Sequence, residues 1–251
     1  MNDGAIQEAR PIAFCEGEFL IKTLESDEEL RQAYHLRHRV FAETLRWVPP
    51  TDDGQEMDMY DLWGTSIGLV GHDGQVLGLA RLLPSSGQFM LEQDLSMLLP
   101  PGHVVRKERD TAEITRMALD PAITDKGLSS RLLLSLIKGI YQWSLVHDVR
   151  YFYLEVEHRF FRVLQAIGIP CDPLGPPVAL PPAGAMSVAA TMDIVNCEYV
   201  LARKRPQLME WMATMITAEG EVLTGCTSHR AGAGRGLAVQ AERLSLFQPA
   251  A

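Results

Sequence analysis

Several charged side chains occupy positions where the sequence pattern predicts burial, and these are the residues best placed to do chemistry. Arg37 falls on the apolar stripe of a predicted helix that also carries Ala33 and Phe41. An inward-pointing guanidinium costs several kcal/mol unless it meets an anion. Arg37 therefore predicts a buried acidic partner elsewhere in the chain.

A second charged pair, Glu113 and Arg116, lies inside an apolar strand. Strand residues three positions apart point to opposite faces, so both side chains can serve one site only if a β-bulge intervenes. We predict such a bulge between them. The alternative is an ion pair on an edge strand near solvent, which would contribute little.

Two aspartates, Asp58 and Asp61, flank Tyr60 in the acidic loop 51–61, which reads TDDGQEMDMYD. Taken alone, acidic residues in a connecting loop are usually only solvated. Trp47 lies at the mouth of this loop, where its ring would cover either a ligand or the core.

A helix N-terminus after a glycine-containing loop is a further candidate site. Free backbone N–H groups there can bind phosphate or pyrophosphate, although many such turns bind nothing. The residues clustered at this position are Lys126, Gly127, Ser129, Ser130 and Arg131.

The elements that must position these residues follow from periodicity and capping. Ser26 and Glu29 form a capping-box pattern, which begins a helix running to about Leu45. The other predicted elements are strands 19–23, 65–71, 76–83, 112–119, 149–156 and 187–194, helices 129–145 and 159–167, and a helical region 196–223. This order predicts an α+β or mixed α/β fold in a domain over 19–224. Residues 1–18 are predicted to form a loose arm and 225–251 a partly disordered tail.

Composition excludes several classes of function. The formal net charge is -9, so no overall basic field favours nucleic acid or anionic lipid. No apolar run is long enough to span a membrane, and the N-terminus lacks the pattern of a signal peptide. The four cysteines form no C-x-x-C pair, and no metal-ligand spacing of histidines or nucleophile-elbow motif is present. These features predict a cytoplasmic protein with no metal site.

The charged and aromatic positions together resemble the autoinducer synthase family, the LuxI-type acyl-homoserine-lactone synthases, over about residues 19–195. The matching residues are Arg37, Phe41, Trp47, Asp58, Asp61, Arg81 in Arg81-Leu82-Leu83-Pro84, Glu113-Ile114-Thr115-Arg116, Arg162, Leu164, Gly168 and Leu174-Gly175-Pro176-Pro177. This register is more specific than any single motif. Glu155, Glu157 and His158 depart from the family pattern by placing charge near the expected acyl pocket.

The resemblance implies a GNAT-like acyltransferase fold, a mixed twisted sheet flanked by helices in three layers, with a splayed strand pair forming the acyl cleft. It also implies quorum-signal synthesis, in which the amine of S-adenosylmethionine attacks an acyl thioester on acyl carrier protein or coenzyme A. The product then lactonises and releases methylthioadenosine. S-adenosylmethionine is the substrate, and no permanently bound cofactor is expected.

The resemblance further assigns roles to individual residues. Glu113 is the expected general base, and Arg116 lies beside it in the catalytic strand. The residues expected to bind S-adenosylmethionine or shield its cleft are Arg37, Phe41, Trp47, Asp58, Asp61 and Arg81. Backbone N–H groups near Arg116 and Met117 would hold the oxyanion. The acyl tail is expected along Leu136, Tyr153 and Leu164.

An acidic carrier protein would need a basic docking surface. The predicted residues are Lys126, Arg131, Lys138, Arg150, Arg159 and Arg162. Two alternatives remain open. One is a related acyltransferase, such as an N-acyl amino acid synthase or an exosortase-associated acyltransferase. The other is a catalytically silent module that binds an acyl carrier.

Overall fold

The computed structural model describes residues 10–217 and 220–225, which form five α-helices and eleven strands. The helices are α1 (Asp27–Arg37), α2 (Lys126–Val146), α3 (His158–Ile167), α4 (Ile194–Lys204) and α5 (Pro206–Ala213). The strands are β1 (Ala13–Glu16), β2 (Phe19–Thr23), β3 (Thr65–Val70), β4 (Val76–Pro84), β5 (Thr111–Leu119), β6 (Tyr151–Glu157), β7 (Asp172–Pro173), β8 (Val178–Leu180), β9 (Ala185–Asp193), β10 (Thr214–Ile216) and β11 (Val222–Thr224). None of the described helices combines the length and apolar character needed to cross a membrane.

The strands form one mixed sheet. Its order is β11-β10-β1-β2-β3-β4-β5-β6-β9-β7, and β8 pairs with β9 outside this path. All of these pairs are antiparallel except β5 with β6, which are parallel. Helix α2 is therefore the crossover between the two parallel strands, as a parallel pair requires.

Helices cover both faces of this sheet and produce three layers. On β4, Leu79 packs in the cluster beneath α1, whereas Ala80 and Leu82 pack in the larger cluster with α2. Leu83 joins a third cluster on the α1 side, built from the segment that follows β4. Arg81 lies between Leu79 and Leu83 on this face, so the alternation of β4 places its guanidinium between two apolar clusters. The predicted mixed α+β fold is confirmed.

Strands β5 and β6 separate after a short parallel pairing. They pair from Thr111 with Tyr151 to Ile114 with Leu154, and β6 then continues only against β9. The residues of β5 beyond Ile114 pair only with β4. The sheet therefore opens between these two strands, as expected for a splayed acyl cleft.

The predicted bulge is present in β5, slightly later than expected. Thr115 pairs with Arg81 and Ala118 with Leu79, so Arg116 and Met117 together oppose the single residue between these partners. Arg116 has a φ of 51°, in the left-handed region. The bulge thus includes Arg116 instead of preceding it, and the distorted backbone redirects this side chain.

Three other predictions differ from the structure. Part of the predicted N-terminal arm forms β1, which pairs with β2 and β10. The first helix is α-helical only to Arg37 and continues as a π-helix from His38 to Thr44. The region predicted to be helical at 196–223 contains α4 and α5, but it then turns into β10 and β11, because these strands extend the sheet edge beside β1. The predicted tail after Gly225 lies outside the described residues.

Candidate active site

Three guanidinium groups and three carboxylates form one ion-pair cluster on the α1 face of the sheet. Its members are Arg37, Arg81, Arg116, Glu56, Asp58 and Asp61. The formal charges balance, and Arg37 and Arg81 have no exposed side-chain surface. Such groups can be buried together only because each charge meets an opposite one.

Arg37 reaches the cluster from the last turn of α1. Its Nε lies 2.5 Å from Oε2 of Glu56, and its Nη1 lies 2.6 Å from Oδ1 of Asp61. Nη2 has no hydrogen-bond partner and lies 3.8 Å from Oδ2 of Asp58. The predicted anionic partners of Arg37 are therefore present, and one of its N–H groups remains unsatisfied.

Arg81 binds both aspartates from β4. Its Nη1 lies 2.5 Å from Oδ1 of Asp58 and 2.7 Å from Oδ1 of Asp61, and its Nη2 donates to Oδ2 of Asp58 at 2.9 Å. Its Nε donates to the Thr115 hydroxyl on β5 at 3.0 Å. Arg81 thus ties the acidic loop to two strands of the sheet.

Arg116 joins the cluster from the bulge. Its Nη2 lies 2.9 Å from Oε1 of Glu56 and 3.0 Å from Oδ2 of Asp58. Its guanidinium carbon lies 5.5 Å from the ring centre of Phe41, whose ring is 5.9 Å from that of Trp47. Phe41 and Trp47 also pack with the cluster beneath α1, so Trp47 covers both the site and part of the core.

The first helix holds the acidic loop in place through hydrogen bonds to its backbone. The Glu56 N–H donates to the Tyr34 carbonyl at 3.1 Å, and His35 Nδ1 lies 2.8 Å from the Gly54 carbonyl oxygen. Asp58 and Asp61 themselves cap the short 3-10 helix Met59–Leu62. These carboxylates are therefore fixed by backbone contacts as well as by arginines.

The electrostatics of the cluster favour the ionised forms of Glu56 and Asp61. Burial raises the pKa of Glu56, but the charge and hydrogen bonds of Arg116 and Arg37 outweigh it, and the net shift is downward. The pKa of Asp61 is likewise lowered despite burial, through Arg37 and Arg81. The pKa of Arg37 is raised because its bonds to Asp61 and Glu56 exceed the effect of burial.

Glu113 lies on β5 and is completely buried. Its two oxygens accept hydrogen bonds from the backbone N–H groups of Met90 and Leu91 at 2.7 and 2.8 Å. Burial nevertheless leaves its pKa raised. The Met90 thioether links Glu113 to the ion-pair cluster, since Arg81 Nη2 lies 3.2 Å and Arg116 Nη1 3.6 Å from its sulfur.

A cavity of about 510 Å³ passes through the gap between β5 and β6. On the α1 side it is lined by Phe41, Trp47 and Arg116. On the other side its apolar lining comes from the four later helices, namely Leu133, Ile137, Ile140, Phe160, Leu164, Ile194, Cys197 and Met212. The cavity therefore connects a charged end to an apolar end, which suits a molecule with a polar head and an acyl chain.

Two residues expected along the acyl tail do not line this cavity. Leu136 is buried in the core between α2 and the sheet. Tyr153 packs in the third apolar cluster, and its hydroxyl accepts a hydrogen bond from the Arg106 N–H at 2.9 Å. Leu164 does line the cavity, as predicted. Tyr153 instead faces the segment after β4, where its ring lies 6.1 Å from that of Phe89.

The predicted basic docking residues divide into three groups. Lys126, Arg131 and Arg162 are exposed, and Arg159 is also exposed at the start of α3. Since β5 and β6 are parallel, the N-termini of α2 and α3 lie at the same edge of the sheet. These four residues therefore share the edge at which the cleft opens.

The prediction for Lys138 is wrong, because it is only 2% exposed and forms an ion pair with Glu16. Its ammonium lies 4.6 Å from the ring centre of Trp211. Arg150 lies at the opposite end of α2, just before β6, where it pairs with Asp193 at 2.9 Å. Glu16 on strand β1 and Trp211 on helix α5 cover Lys138. The sequence did not predict that these two elements would pack against α2.

The phosphate site predicted at the start of α2 is capped by the protein itself. Oδ1 of Asp125 accepts a hydrogen bond from the Leu128 N–H at 2.6 Å. The hydroxyls of Ser129 and Ser130 donate to the carbonyls of Ile123 and Lys126. A carboxylate therefore occupies the position where a phosphate would bind.

Sequence reasoning missed Glu56, which binds both Arg37 and Arg116. Glu56 lies in the same acidic loop as Asp58. Two buried arginines require anionic partners, and this requirement could have identified Glu56 from the sequence. Among the described residues, no group of three His, Cys, Asp or Glu side chains could hold a metal ion. Cys15, Cys171 and Cys197 are free thiols in the structure, and Cys226 lies outside the described part of the chain.

Comparisons with known proteins agree with this arrangement. A model of the autoinducer synthase family matches residues 22–200. An acyl-homoserine-lactone synthase of Agrobacterium fabrum is 33% identical over 175 residues, which cover 68% of this chain and 82% of that protein. A second, from Rhizobium radiobacter, is 35% identical over 158 residues, covering 60% of this chain and 73% of that protein.

Solved structures support the same fold. The AHL synthase LasI aligns with a TM-score of 0.63 and 21% identity, covering 70% of this chain and 89% of that chain. BjaI is a CoA-dependent acyl-homoserine lactone synthase solved with SAM and isopentyl-CoA. It aligns with a TM-score of 0.58 and 22% identity, covering 74% of this chain and 81% of that chain. Together with the family model and the Agrobacterium relative, these findings show that the chain belongs to the autoinducer synthase family.

Proposed function

We propose that this protein is an acyl-homoserine-lactone synthase. The α-amine of S-adenosylmethionine attacks the carbonyl carbon of an acyl thioester, and the carrier thiol leaves as the amide forms. The methionyl carboxylate then displaces the sulfonium, so that the lactone closes and methylthioadenosine is released. The relatives named above as acyl-homoserine-lactone synthases support this activity.

The observation that carries the proposal is the junction of two unlike regions at the β5 bulge. The charge-balanced ion-pair cluster lies on one side of the splayed strands, and the apolar end of the cavity lies on the other. Arg116 belongs to both, since it binds Glu56 and lines the cavity. A zwitterionic cation and an acyl chain can therefore meet at one point of the backbone.

The cluster is suited to the methionyl end of S-adenosylmethionine. Asp58 is the most exposed of its three acids, at 21% of its side-chain surface, and would attract the ammonium and sulfonium. Arg116, which lines the cavity, would bind the carboxylate, and the fully buried Arg37 and Arg81 would brace the aspartates. Phe41 and Trp47 would shield the sulfonium and face it with their rings.

Glu113 is proposed as the general base that removes the amine proton. Its complete burial and its two backbone hydrogen bonds argue against direct contact with the amine, so the proton would pass through one intervening group. Burial raises its pKa, which makes it a stronger base than an exposed glutamate. Backbone N–H groups of Arg116 and Met117, released from regular pairing by the bulge, would hold the oxyanion.

The donor would approach the edge where the cleft opens. Lys126, Arg131, Arg159 and Arg162 are proposed to contact an acidic carrier protein or the phosphates of coenzyme A there. The three free cysteines fit a reducing compartment, and we propose that the enzyme works in the cytoplasm.

The test is incubation of the purified chain with S-adenosylmethionine and acyl thioesters of both carrier protein and coenzyme A. We expect methylthioadenosine release and a lactone of matching mass. Formation of an acylated amino acid without methylthioadenosine would instead indicate an N-acyl amino acid synthase, and absence of any product would indicate a binding module.

A Glu113→Gln variant tests the base. We expect kcat to fall at least about a hundredfold, the usual range for a lost general base. Because the Gln amide keeps only one acceptor for the two buried N–H groups, the variant should also be less stable, and kcat is compared at a temperature where circular dichroism shows both proteins folded. Glu108→Gln is the matched control, because Glu108 is exposed on the turn just before β5. Full turnover in Glu113→Gln would remove Glu113 from this role.

A further inference from the structure

A second carboxylate, Glu155, stands beside Glu113 at the point where β5 and β6 separate. Glu113 pairs in register with Tyr153, and Glu155 follows two residues later on the same face of β6. The two carboxyl groups interact directly, and Glu155 also lines the cavity, whereas Glu113 does not. Glu155 is therefore the member of the pair that can meet an acyl chain.

The hydrogen-bond environment of the pair favours a proton on Glu155 and not on Glu113. Both oxygens of Glu113 accept backbone N–H groups, which favours its ionised form. Oε1 of Glu155 is buried and has no donor. A proton on Glu155 that is donated to Glu113 satisfies this oxygen and prevents two adjacent charges. Burial and the charge of Glu113 hold the pKa of Glu155 well above its usual range, which agrees with a protonated Glu155.

A protonated Glu155 leaves its second oxygen as a hydrogen-bond acceptor at the cavity wall. The neighbouring lining includes apolar Ile114 and Met117 across the gap and Leu154 and Val156 on the same strand, beside the polar side chains of Thr115, Arg116 and Glu157. A plain hydrocarbon chain passing this point would cover a polar oxygen without pairing it, which is unfavourable. A chain that carries a hydroxyl would donate a hydrogen bond there.

We propose that Glu155 selects acyl donors with a hydroxyl group close to the thioester. This inference rests on the proposed synthase function and adds the substrate class. The position is near the thioester because Glu155 lies directly after the last β5–β6 pair, at the level of the bulge that would hold the thioester carbonyl. The deeper, apolar part of the cavity then accommodates the rest of the chain.

The test compares donors of one chain length, unsubstituted, 3-hydroxy and 3-oxo, with the purified full-length chain and S-adenosylmethionine. We expect kcat/KM for the hydroxy donor to exceed that for the unsubstituted donor by about tenfold or more, the usual effect of one buried hydrogen bond. A higher value for the oxo donor, or equal values for all three, would overturn the inference. Release of no methylthioadenosine from any donor would instead defeat the synthase assignment.

Variants at Glu155 separate selection from a general structural role. Glu155→Leu should lower the ratio of kcat/KM for the hydroxy donor to kcat/KM for the unsubstituted donor to about one. Glu155→Gln should keep the preference, because its amide N–H can donate to Glu113 and its carbonyl oxygen can face the cavity. Glu157→Gln is the control, since Glu157 lines the same cavity two residues further along β6. If Glu155→Leu lowered kcat/KM by the same factor for every donor, the result would contradict a selective role of Glu155.

Discussion

Removal of one charge from the ion-pair cluster should strongly destabilise the fold, and Asp61→Asn is the cleanest such change. Asn has nearly the same shape as Asp, so packing is preserved while the negative charge is lost. Asp61 accepts from Arg37 Nη1 at 2.6 Å, from Arg81 Nη1 at 2.7 Å and from the Asp58 N–H at 2.8 Å. The variant would leave a net positive charge around two arginines that have no exposed side-chain surface.

The expected magnitude follows from these contacts. Two hydrogen bonds between charged groups are weakened, and each is worth about 1.5 to 3 kcal/mol. Loss of one partner from a buried pair costs about 3 to 5 kcal/mol, which agrees with that sum. We therefore expect a loss of about 3 to 5 kcal/mol in the free energy of unfolding. For a chain of this size the melting temperature should fall by roughly 6 to 20 °C.

The assay is urea unfolding at pH 7, followed by tryptophan fluorescence and by circular dichroism, with equal m-values required for the comparison. Asp52→Asn is the control, because Asp52 lies exposed in the same loop and its loss should change stability by less than about 0.5 kcal/mol. A loss below about 1 kcal/mol in Asp61→Asn, or one equal to the control, would refute the claim that a buried network of charges holds this loop.

Three further predictions concern titration, docking and packing. Because burial raises the pKa of Glu155, its ionisation opposes folding, so stability is greatest below the usual glutamate value of about 4.3 and falls as pH rises toward the folded-state pKa. Glu155→Gln should thus be more stable than the parent at pH 8 but not at pH 4, and a pH-independent difference in urea unfolding would contradict this. Arg131→Glu should raise KM for a carrier-protein donor in steady-state assays, whereas the exposed control Arg31→Glu on α1 should not, and equal KM values would remove Arg131 from the docking surface. Gly139→Ala should lower the melting temperature, although alanine favours helices, since the new Cβ would lie 2.8 Å from Ile21 Cγ2, and an unchanged or higher value would show that α2 can shift away from the sheet.

Local patterns in the sequence predicted most of the individual elements. The Ser26–Glu29 capping box and the helix predicted at 159–167 depend on neighbouring residues, and both are present. The demand of an inward-facing Arg37 for anions is also local reasoning, and Asp61 satisfies it. These predictions succeeded because capping, alternation and charge burial act over a few residues.

Other features depend on contacts between distant segments. Lys138 has the sequence context of an exposed helix position, yet β1 and Trp211 bury it, and Glu16 neutralises it from 122 residues away. Tyr153 was expected at the acyl chain but faces the segment after β4 instead. Neither outcome follows from periodicity, because both depend on which distant segment covers a given face.

The sequence alone determined most of the elements, the mixed α+β class and the charged residues that require partners, since these follow from hydrophobic spacing and the cost of burying charge. Only the tertiary structure decided how the partners are shared among Arg37, Arg81 and Arg116, and that Glu56 completes their balance. It also decided that Glu155, and not Glu113, reaches the cavity. Strand pairing and splaying bring residues from α1, the acidic loop, β5 and β6 within a few ångströms, and distances of that kind depend on the whole fold.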